Sequence, residues 1–331
     1  MNRIDFGDCR DTMRKWASEG VKVQTCVTSP PYFGLRDYGH EGQIGLEQTP
    51  EQYIAAMVEV FQCVKDVLAD DGTLWLNIGD SYASFRDGKA TPDTTRKEST
   101  GTLVPKGSAR NRMASTFSNS GVKHKDLIGI PWMLAFALRA DGWYLRQDII
   151  WHKPNPMPES VRDRCTKAHE YIFLLSKSDR YFFDNEAMRE DSADPLGSAA
   201  RYKSAFGGKK NEALLATDQV HTRPIGMREF DGKRNRRSVW TINTKPYKGA
   251  HFATFPTSLI EPCILAGSRP NDIVLDPFMG SGTTAQVAIQ HGRQYLGCEL
   301  NPEYAALQQE RIAKAMPVVV DDPQMSLTLA E

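Results

Sequence analysis

The fold is decided by the stretch Asp272-Ile273-Val274-Leu275-Asp276-Pro277-Phe278-Met279-Gly280-Ser281-Gly282-Thr283-Thr284. Its first five residues predict a buried strand, and the glycine-rich turn after them leads into a predicted helix over 285–290. A second strand, predicted over 294–298, ends at the acid Glu299. A strand, a glycine-rich turn, a helix and a strand ending in an acid are typical of a nucleotide-binding βαβ unit.

The glycine-rich turn does not match two common nucleotide sites. It lacks the Gly-Lys-Ser or Gly-Lys-Thr sequence of a phosphate-binding P-loop, and it has no third glycine at the dinucleotide spacing. A Gly-x-Gly pair alone also occurs in many structural turns. The turn by itself therefore favours neither a nucleoside triphosphate nor a dinucleotide.

The rest of the chain alternates between helical and strand patterns, which predicts an α/β protein with a Rossmann-like, mostly parallel sheet flanked by helices. Further strands are predicted over 21–28, 73–78 and 144–151, and a hairpin over 171–175 and 181–183. Further helices are predicted over 12–19, from Thr49 and Pro50 to 68, over 130–140 and 256–266, and after Asn301-Pro302.

Two irregular, basic segments interrupt this pattern, one over 84–125 and one over 185–250. The second contains the run Lys233-Arg234-Asn235-Arg236-Arg237. Such runs are either solvated surface or contacts for phosphate groups. We predict a catalytic domain made of residues 1–83, 126–184 and 251–331, with a flexible basic insertion over 84–125.

Composition narrows the class of protein. The 331 residues carry 41 basic and 41 acidic side chains, so no strong overall field attracts nucleic acid. The six cysteines form no Cys-x-x-Cys pair, which argues against zinc and against a disulfide framework, and we predict no metal site. We expect a cytoplasmic protein, because the N-terminus does not resemble a signal peptide and no apolar run is long enough to span a bilayer.

The stretch from Asp276 to Thr284 resembles motif I of the S-adenosylmethionine-dependent DNA amino-methyltransferases. Thr28-Ser29-Pro30-Pro31-Tyr32 is similar to the catalytic motif IV of that family. Gly7-Asp8-Cys9 resembles motif III, and the stretches 73–81, 151–156 and 251–256 resemble motifs VI, VIII and X. Motif IV precedes motif I, which is the family's beta arrangement, a circular permutation of the class I methyltransferase fold. This order leaves 185–250 as the target-recognition region.

The resemblance implies S-adenosylmethionine as cofactor and assigns roles to individual residues. The implied cofactor-binding residues are Asp8, Cys9, Thr28, Phe255, Pro256, Asp276, Phe278, Gly280, Ser281, Gly282, Thr283, Thr284 and Glu299. The implied catalytic residues are Ser29, Pro30, Pro31 and Tyr32. The residues predicted to bind double-stranded DNA are Trp151, Lys153, Lys233, Arg234, Arg236 and Arg237. Asp80 is predicted either to cap a helix or to line the cleft.

The catalytic stretch suits methylation of an exocyclic amine on a flipped base. Such an amine is a poor nucleophile because its lone pair is conjugated into the ring. Acceptors for its N–H groups, Ser29 Oγ and the Pro30 carbonyl, would turn the lone pair toward the methyl group. Pro30 and Pro31 fix φ and offer no N–H donor, and Tyr32 offers a ring on which the base stacks. We therefore expect a direct in-line displacement assisted by positioning.

The sequence leaves several alternatives open. In the family, a serine at the first position of motif IV is most often associated with N4 of cytosine, and Asp or Asn with N6 of adenine, so cytosine is favoured over adenine. A methyltransferase acting on RNA or on a protein amide and a non-catalytic DNA-binding module are further alternatives. Pro262-Cys263 matches the nucleophile dipeptide of cytosine carbon-5 methyltransferases, yet its apolar surroundings predict a buried structural cysteine. The recognition sequence, a cognate restriction endonuclease and a homodimer stay open.

Overall fold

The computed structural model describes residues 1–35, 37, 39–40, 42–83, 122–194, 231–244 and 255–315. The strands are β1 Arg3–Phe6, β2 Val23–Thr28, β3 Leu68–Ile78, β4 Tyr144–His152, β5 His169–Ser176, β6 Arg189–Asp191, β7 Lys233–Asn235, β8 Val239–Thr241, β9 Ile273–Asp276 and β10 Gln294–Glu299. The helices are α1 Cys9–Ser18, α2 Pro50–Val67, α3 Ile130–Ala140, α4 Thr257–Gly267, α5 Thr283–Gln290 and α6 Ala305–Ala313, with a 3₁₀ helix at Pro302–Tyr304.

The chain divides into two compact units, of which the larger comprises Met1–Phe183 and Ser238–Glu331. This unit is built on an eight-stranded sheet with the order β1-β10-β9-β2-β3-β5-β4-β8. Every neighbouring pair is parallel except the two pairs that β5 makes, with β3 and with β4. The expected mostly parallel sheet is confirmed, with one antiparallel strand inside it.

The direction of chain connection reverses between β9 and β2. From β9 the chain passes through α5 to β10 on one side, and from β2 it passes through α2 to β3 on the other. The two strands are in parallel register, with Cys26 opposite Leu275, so their carboxyl ends lie side by side. Open α/β sheets bind ligands in the crevice at such a reversal.

The core explains why these elements are stable. In β2 and in residues 72–78 of β3 both faces are largely buried, as their nearly continuous apolar sequences predict. Helix α2 begins as predicted, with Thr49 Oγ1 accepting from the Gln52 N–H at 3.2 Å and Pro50 in the first turn. Its apolar face buries side chains such as Met57 and Phe61 completely. The helix and the sheet therefore share one hydrophobic core.

The predicted hairpin over 171–175 and 181–183 is wrong. Strand β5 instead pairs antiparallel with β3 and β4, and residues 181–183 form no strand. Residues 172–176 are buried, as suits a strand in the interior of a sheet. Phe182 is held by one backbone hydrogen bond, from its N–H to the Asp71 carbonyl at 2.8 Å, and Phe183 stacks on Trp75.

The second unit, Asp184–Arg237, contains an antiparallel pair formed by β6 and β7. Arg234 Nε donates to Glu190 Oε1 at 3.0 Å, and Arg236 Nε lies 3.9 Å from Glu190 Oε2. Lys233 and Arg237 are exposed. The target-recognition region over 185–250 stays a prediction, and its residues 195–230 and 245–250 lie outside the described residues, as do residues 84–121 of the predicted insertion. None of the helices in the described part of the chain could cross a membrane, given their length and polarity.

Candidate active site

A cavity of about 880 Å³ lies in the larger unit and includes the carboxyl ends of β9 and β10 in its lining. It brings together most of the residues that the sequence predicts for the site. Those that line it are Asp8, Cys9, Ser29, Pro30, Pro31, Tyr32, Trp151, Lys153, Phe255, Asp276, Phe278, Gly280, Ser281, Thr283 and Glu299. The predicted cofactor and catalytic segments, which are up to about 270 residues apart in sequence, thus share one cavity.

Four of the predicted cofactor residues, Thr28, Pro256, Gly282 and Thr284, do not line the cavity. Thr28 and Thr284 are buried beneath it. Gly282 takes a left-handed conformation, with φ of 84°, at the start of α5, and Pro256 precedes the first turn of α4. Each of the four is next in sequence to a residue that lines the cavity.

Asp276 links the two motifs that meet at the reversal point. Its Oδ1 accepts from Thr28 Oγ1 at 2.6 Å and from the Phe278 N–H at 3.0 Å, and its Oδ2 accepts from Thr284 Oγ1 at 2.7 Å. Burial raises the pKa of Asp276 to about 6, and the hydrogen bonds from the two threonines oppose that rise. The carboxylate fastens the end of β2 to the glycine-rich turn after β9.

Glu299 organises the glycine-rich turn from the end of β10. Its Oε2 accepts from the Gly280 N–H at 2.7 Å, and its Oε1 accepts from the Asn301 N–H at 2.9 Å. Burial raises the pKa of this carboxyl, and the backbone donors act in the opposite direction. The Gly280 carbonyl in turn accepts from Gln308 Nε2 at 2.7 Å, so both sides of this glycine are fixed.

Asp8 caps helix α1 at the edge of the cavity, and its carboxylate accepts from the Arg10 N–H at 2.8 Å. The Arg10 guanidinium also contacts the carboxylate, at 2.6 Å, and this hydrogen bond lowers the pKa of Asp8. Cys9 is buried, which raises the pKa of its thiol to about 12. Cys9 therefore contributes as a small buried residue and not as a reactive thiolate.

The catalytic stretch is held from two sides. Tyr53, a buried residue of α2, donates from its hydroxyl to the Pro31 carbonyl at 2.8 Å. The Tyr32 hydroxyl donates to Glu170 Oε2 at 2.8 Å and lies 3.5 Å from Asn77 Oδ1. The proline pair is thus anchored at its carbonyl and at the aromatic ring that follows it, with Ser29 at the cavity wall.

Trp151 and Lys153 belong to the stretch that resembles motif VIII. Lys153 Nζ pairs with Glu170 Oε1, and it lies 4.2 Å from the centre of the Trp151 ring. Trp151 is buried and donates from Nε1 to the Ile242 carbonyl at 2.9 Å. Both residues line the cavity, so the structure places them beside the catalytic stretch, while their contact with DNA stays a prediction.

Glu170 is the main cavity residue that sequence reasoning missed. It lies just before the apolar run of β5. Because the sequence wrongly predicted a hairpin over 171–175 and 181–183, it did not predict that β5 lies in the interior of the sheet. An antiparallel strand begins at the edge where its parallel neighbours end, so polar residues at the start of β5 reach the cavity. His169 and Glu170, directly before that run, were the available signal.

The sequence offered two alternative roles for Asp80 and two for Cys263. Asp80 Oδ1 accepts from the N–H groups of Gly129 and Ile130, at 3.0 Å and 3.2 Å, so it caps α3, and it also lines the cavity. Cys263 is 1% exposed inside α4, with its thiol 3.6 Å from the Leu259 carbonyl, and it does not line the cavity. The prediction of a buried cysteine is confirmed, and carbon-5 chemistry through this thiol has no geometric basis.

The cavity residues fit a cationic sulfonium cofactor. Three carboxyl side chains line the cavity around the glycine-rich turn, those of Asp8, Asp276 and Glu299. Gly280 and Gly282 have φ of 52° and 84°, a left-handed backbone that glycine adopts without strain, so the turn presents its main chain closely. Carboxyl side chains and a main chain that a ligand can approach closely suit a ligand that carries a positive charge and an amino-acid group.

The sheet and the site define a class I methyltransferase that uses S-adenosylmethionine. A putative DNA modification methylase from Thermus thermophilus, solved as a complex with S-adenosyl-L-methionine, has a TM-score of 0.56 at 22% identity and covers 96% of this chain and 95% of its own. PvuII DNA methyltransferase, described as cytosine-N4-specific, has a TM-score of 0.57 at 17% identity and covers 98% and 90%. These similarities show the fold.

The chain belongs to the DNA methylase family N6_N4_Mtase, whose model matches residues 23–310. The Type II methyltransferase M.Cfr9I of Citrobacter freundii is 47% identical over 306 residues, which are 92% of this chain and 86% of that protein. The Type II methyltransferase M.SmaI of Serratia marcescens is 48% identical over 313 residues, 94% and 91% of the two chains. The resemblance seen in the motifs is confirmed.

Proposed function

We propose that the protein is a site-specific DNA methyltransferase that transfers a methyl group from S-adenosylmethionine to N4 of a cytosine flipped out of duplex DNA. The observation that carries the proposal is the presence of Ser29 in the wall of the cavity that holds the glycine-rich turn and Glu299. Within the family, serine at this position is most often associated with cytosine. The alternative acceptor is N6 of adenine.

The cofactor supplies an activated methyl group on a sulfonium, and the chain's own residues position the amine. Glu299, at the end of β10, would hold the ribose hydroxyls, and the glycine-rich turn would face the amino-acid group. Ser29 Oγ and the Pro30 carbonyl would accept the two N–H groups of the amine and direct its lone pair at the methyl carbon. The cofactor would leave as its uncharged thioether, and the newly methylated nitrogen would lose one proton to water, so no covalent enzyme intermediate is needed.

The base is tested by methylating plasmid DNA with the purified protein, digesting the DNA to nucleosides and analysing them by mass spectrometry. We expect N4-methylcytosine. N6-methyladenine as the sole product would reject cytosine and leave the amino-methyltransferase reaction in place, and 5-methylcytosine would contradict the buried position of Cys263. Single-molecule sequencing of the same DNA would give the recognition sequence.

The basic run of the second unit provides a test of DNA binding. Replacing Lys233, Arg234, Arg236 and Arg237 with alanine should weaken binding to duplex DNA, because the variant neutralises fewer phosphates and so releases fewer counterions. The plot of log affinity against log salt concentration should become shallower by about 0.9 for each phosphate that is no longer neutralised. Fluorescence anisotropy at several salt concentrations measures both effects.

The matched control replaces Lys15 and Lys22, exposed lysines that do not line the cavity, and should leave the salt dependence unchanged. Lys233 and Arg237 are exposed, whereas Arg234 and Arg236 are half-buried, so we expect Lys233 and Arg237 to carry more of the effect. An unchanged salt dependence in the fourfold variant would place the DNA surface elsewhere in the chain.

A further inference from the structure

The loop between β4 and β5, residues 153–168, places a large apolar side chain at the opening of the cavity. Met157 lines the cavity and is nevertheless 86% exposed. Its neighbours Asn155, Pro156 and Glu159 line the cavity as well. Single exposed apolar side chains are common on protein surfaces, so a role for Met157 has to follow from its surroundings.

The loop is fixed on both sides of Met157. On one side, Asn155 Nδ2 donates to the Thr244 carbonyl at 3.2 Å, and Asn155 Oδ1 accepts from the Thr244 N–H at 3.0 Å. On the other side, Glu159 Oε2 accepts from Arg164 Nη1 at 2.6 Å. Met157 is midway in sequence between these two anchors. The loop therefore holds the backbone of Met157 in place while its side chain stays in solvent.

Prolines on both sides of Met157 stiffen this part of the loop. The rings of Pro156 and Pro158 fix φ at those positions. A residue that precedes a proline is restricted to extended conformations, and this restriction applies to Met157. Contact with a ligand therefore costs Met157 little backbone freedom. Its unbranched thioether side chain adapts to irregular surroundings and packs well on aromatic rings.

A flipped base creates a gap that such a side chain could fill. An amine inside a duplex is out of reach, so the enzyme has to extrude the target base, at the cost of unstacking and unpairing it. Proteins that distort DNA insert apolar side chains, including Met, between bases. The cavity containing Ser29 would receive the extruded base, and Met157 stands at the opening of that cavity.

The charge of the loop suits the same partner. Basic residues outnumber acidic residues by four to two over 153–168, with Lys153, Arg162, Arg164 and Lys167 against Glu159 and Asp163. Arg162 is exposed, five residues after Met157. A net positive loop attracts the phosphates of a duplex, whereas an apolar side chain alone would not distinguish DNA from other ligands.

We infer that Met157 is an apolar wedge, which enters the base stack of duplex DNA as the target base leaves it and so stabilises the flipped state. The inference rests on the proposed function, because it requires a base to be turned out of a duplex into this cavity. It holds for cytosine and for adenine alike. Because Met157 acts on flipping and not on methyl transfer itself, its importance should depend on how firmly the duplex holds the target base.

Two duplexes carrying the recognition sequence found by sequencing test the inference. One is fully paired, and in the other the target base faces an abasic site, which lowers the cost of flipping. We expect Met157→Ala to lower the single-turnover rate of methyl transfer about tenfold on the paired duplex and to stay within about twofold of wild type on the abasic duplex. Met157→Leu, with an apolar side chain of similar volume, should stay within about twofold on both.

Control variants separate the wedge from a general loss of apolar surface. Phe136→Ala removes a side chain that is 46% exposed on α3 and does not line the cavity, and it should leave both rates unchanged. Leu35→Ala removes a second exposed side chain that lines the cavity, and it should leave the ratio of the two rates unchanged. Circular dichroism, thermal unfolding and calorimetry with S-adenosylmethionine should not distinguish Met157→Ala from wild type.

A wild-type rate of Met157→Ala on the paired duplex would overturn the inference. Equal losses on the two duplexes would overturn it as well, because Met157 would then act on a step other than flipping. The same holds if Leu35→Ala, and not Met157→Ala, showed the loss confined to the paired duplex. A wild-type protein that transfers no methyl group to either duplex would instead refute the proposed function, and the inference with it, so the two failures are distinguishable.

Discussion

Replacing Ser29 with alanine should lower the rate of methyl transfer by about 10²-fold while leaving the affinity for S-adenosylmethionine unchanged. Ser29 lies in the cavity wall, and its hydroxyl oxygen carries lone pairs that can accept an N–H of the amine. Without that acceptor the amine keeps its lone pair conjugated into the ring and points it at the methyl carbon less often. Single-turnover kinetics with radiolabelled cofactor measure the rate, and calorimetry measures cofactor binding.

The separation of rate from binding is what makes Ser29→Ala informative. The cofactor contacts implied by the family come from the glycine-rich turn and Glu299, and Tyr53 continues to hold the Pro31 carbonyl in the variant. Ser18→Ala, which removes an exposed hydroxyl bonded to the Lys15 carbonyl, serves as the matched control and should be fully active. If cofactor affinity fell as much as the rate, Ser29 would be a structural residue of the loop.

Much of this site could be predicted because its two long motifs are local in sequence. The run from Asp272 to Thr284 contains a strand, a turn and a helix start, and each is set by residues within the run itself. The same holds for the strand that ends at Thr28 and for the cap that Thr49 provides. The local sequence is sufficient to predict such elements without the positions of distant residues, and the structure contains them where they are predicted.

The features of the site that could not be predicted from the sequence depend on contacts between distant segments, above all on strand pairing. Whether residues 171–175 form a hairpin with 181–183 or insert as β5 between β3 and β4 is decided by long-range contacts that no local pattern encodes. Placing Glu170 beside Tyr32 requires that pairing, and so does the ion pair between Glu170 and Lys153. The role of Asp276 was similarly hidden, because its partners Thr28 and Thr284 come from separate segments.

Replacing Asp276 with alanine should abolish measurable binding of S-adenosylmethionine, and replacing it with asparagine should preserve most of it. Alanine leaves the donors of Thr28, Phe278 and Thr284 without their acceptor in a buried place, which should lower the free energy of unfolding by about 3 kcal/mol. Asparagine keeps one oxygen for Thr28 and Phe278. The Thr284 hydroxyl can turn to accept from the new amide, since it already lies 3.5 Å from the Val27 carbonyl.

Urea unfolding and calorimetry on both variants separate the two ways in which Asp276 could act. If the carboxylate works by fastening β2 to the glycine-rich turn, cofactor affinity follows the integrity of these hydrogen bonds, and the Asp276→Asn variant binds within a few-fold of wild type. Equal loss of affinity in two variants that both remain folded would show instead that the charge of Asp276 contacts the cofactor. Wild type and Asp276→Asn should also differ in how stability depends on pH.

The sign of that dependence follows from the raised pKa. Burial places the pKa of Asp276 at about 6 in the folded chain, above its ordinary value of 3.8, so the folded state binds the proton more tightly than the unfolded state. The stability that Asp276 contributes is therefore full below about pH 4 and declines as the pH rises through about 6. Asparagine has no proton to release, so the free energy of unfolding of wild type should fall relative to that of Asp276→Asn between about pH 5 and pH 7. A constant difference across this range would mean that the hydrogen bonds from Thr28 and Thr284 fully offset burial and hold the carboxylate charged in the folded protein.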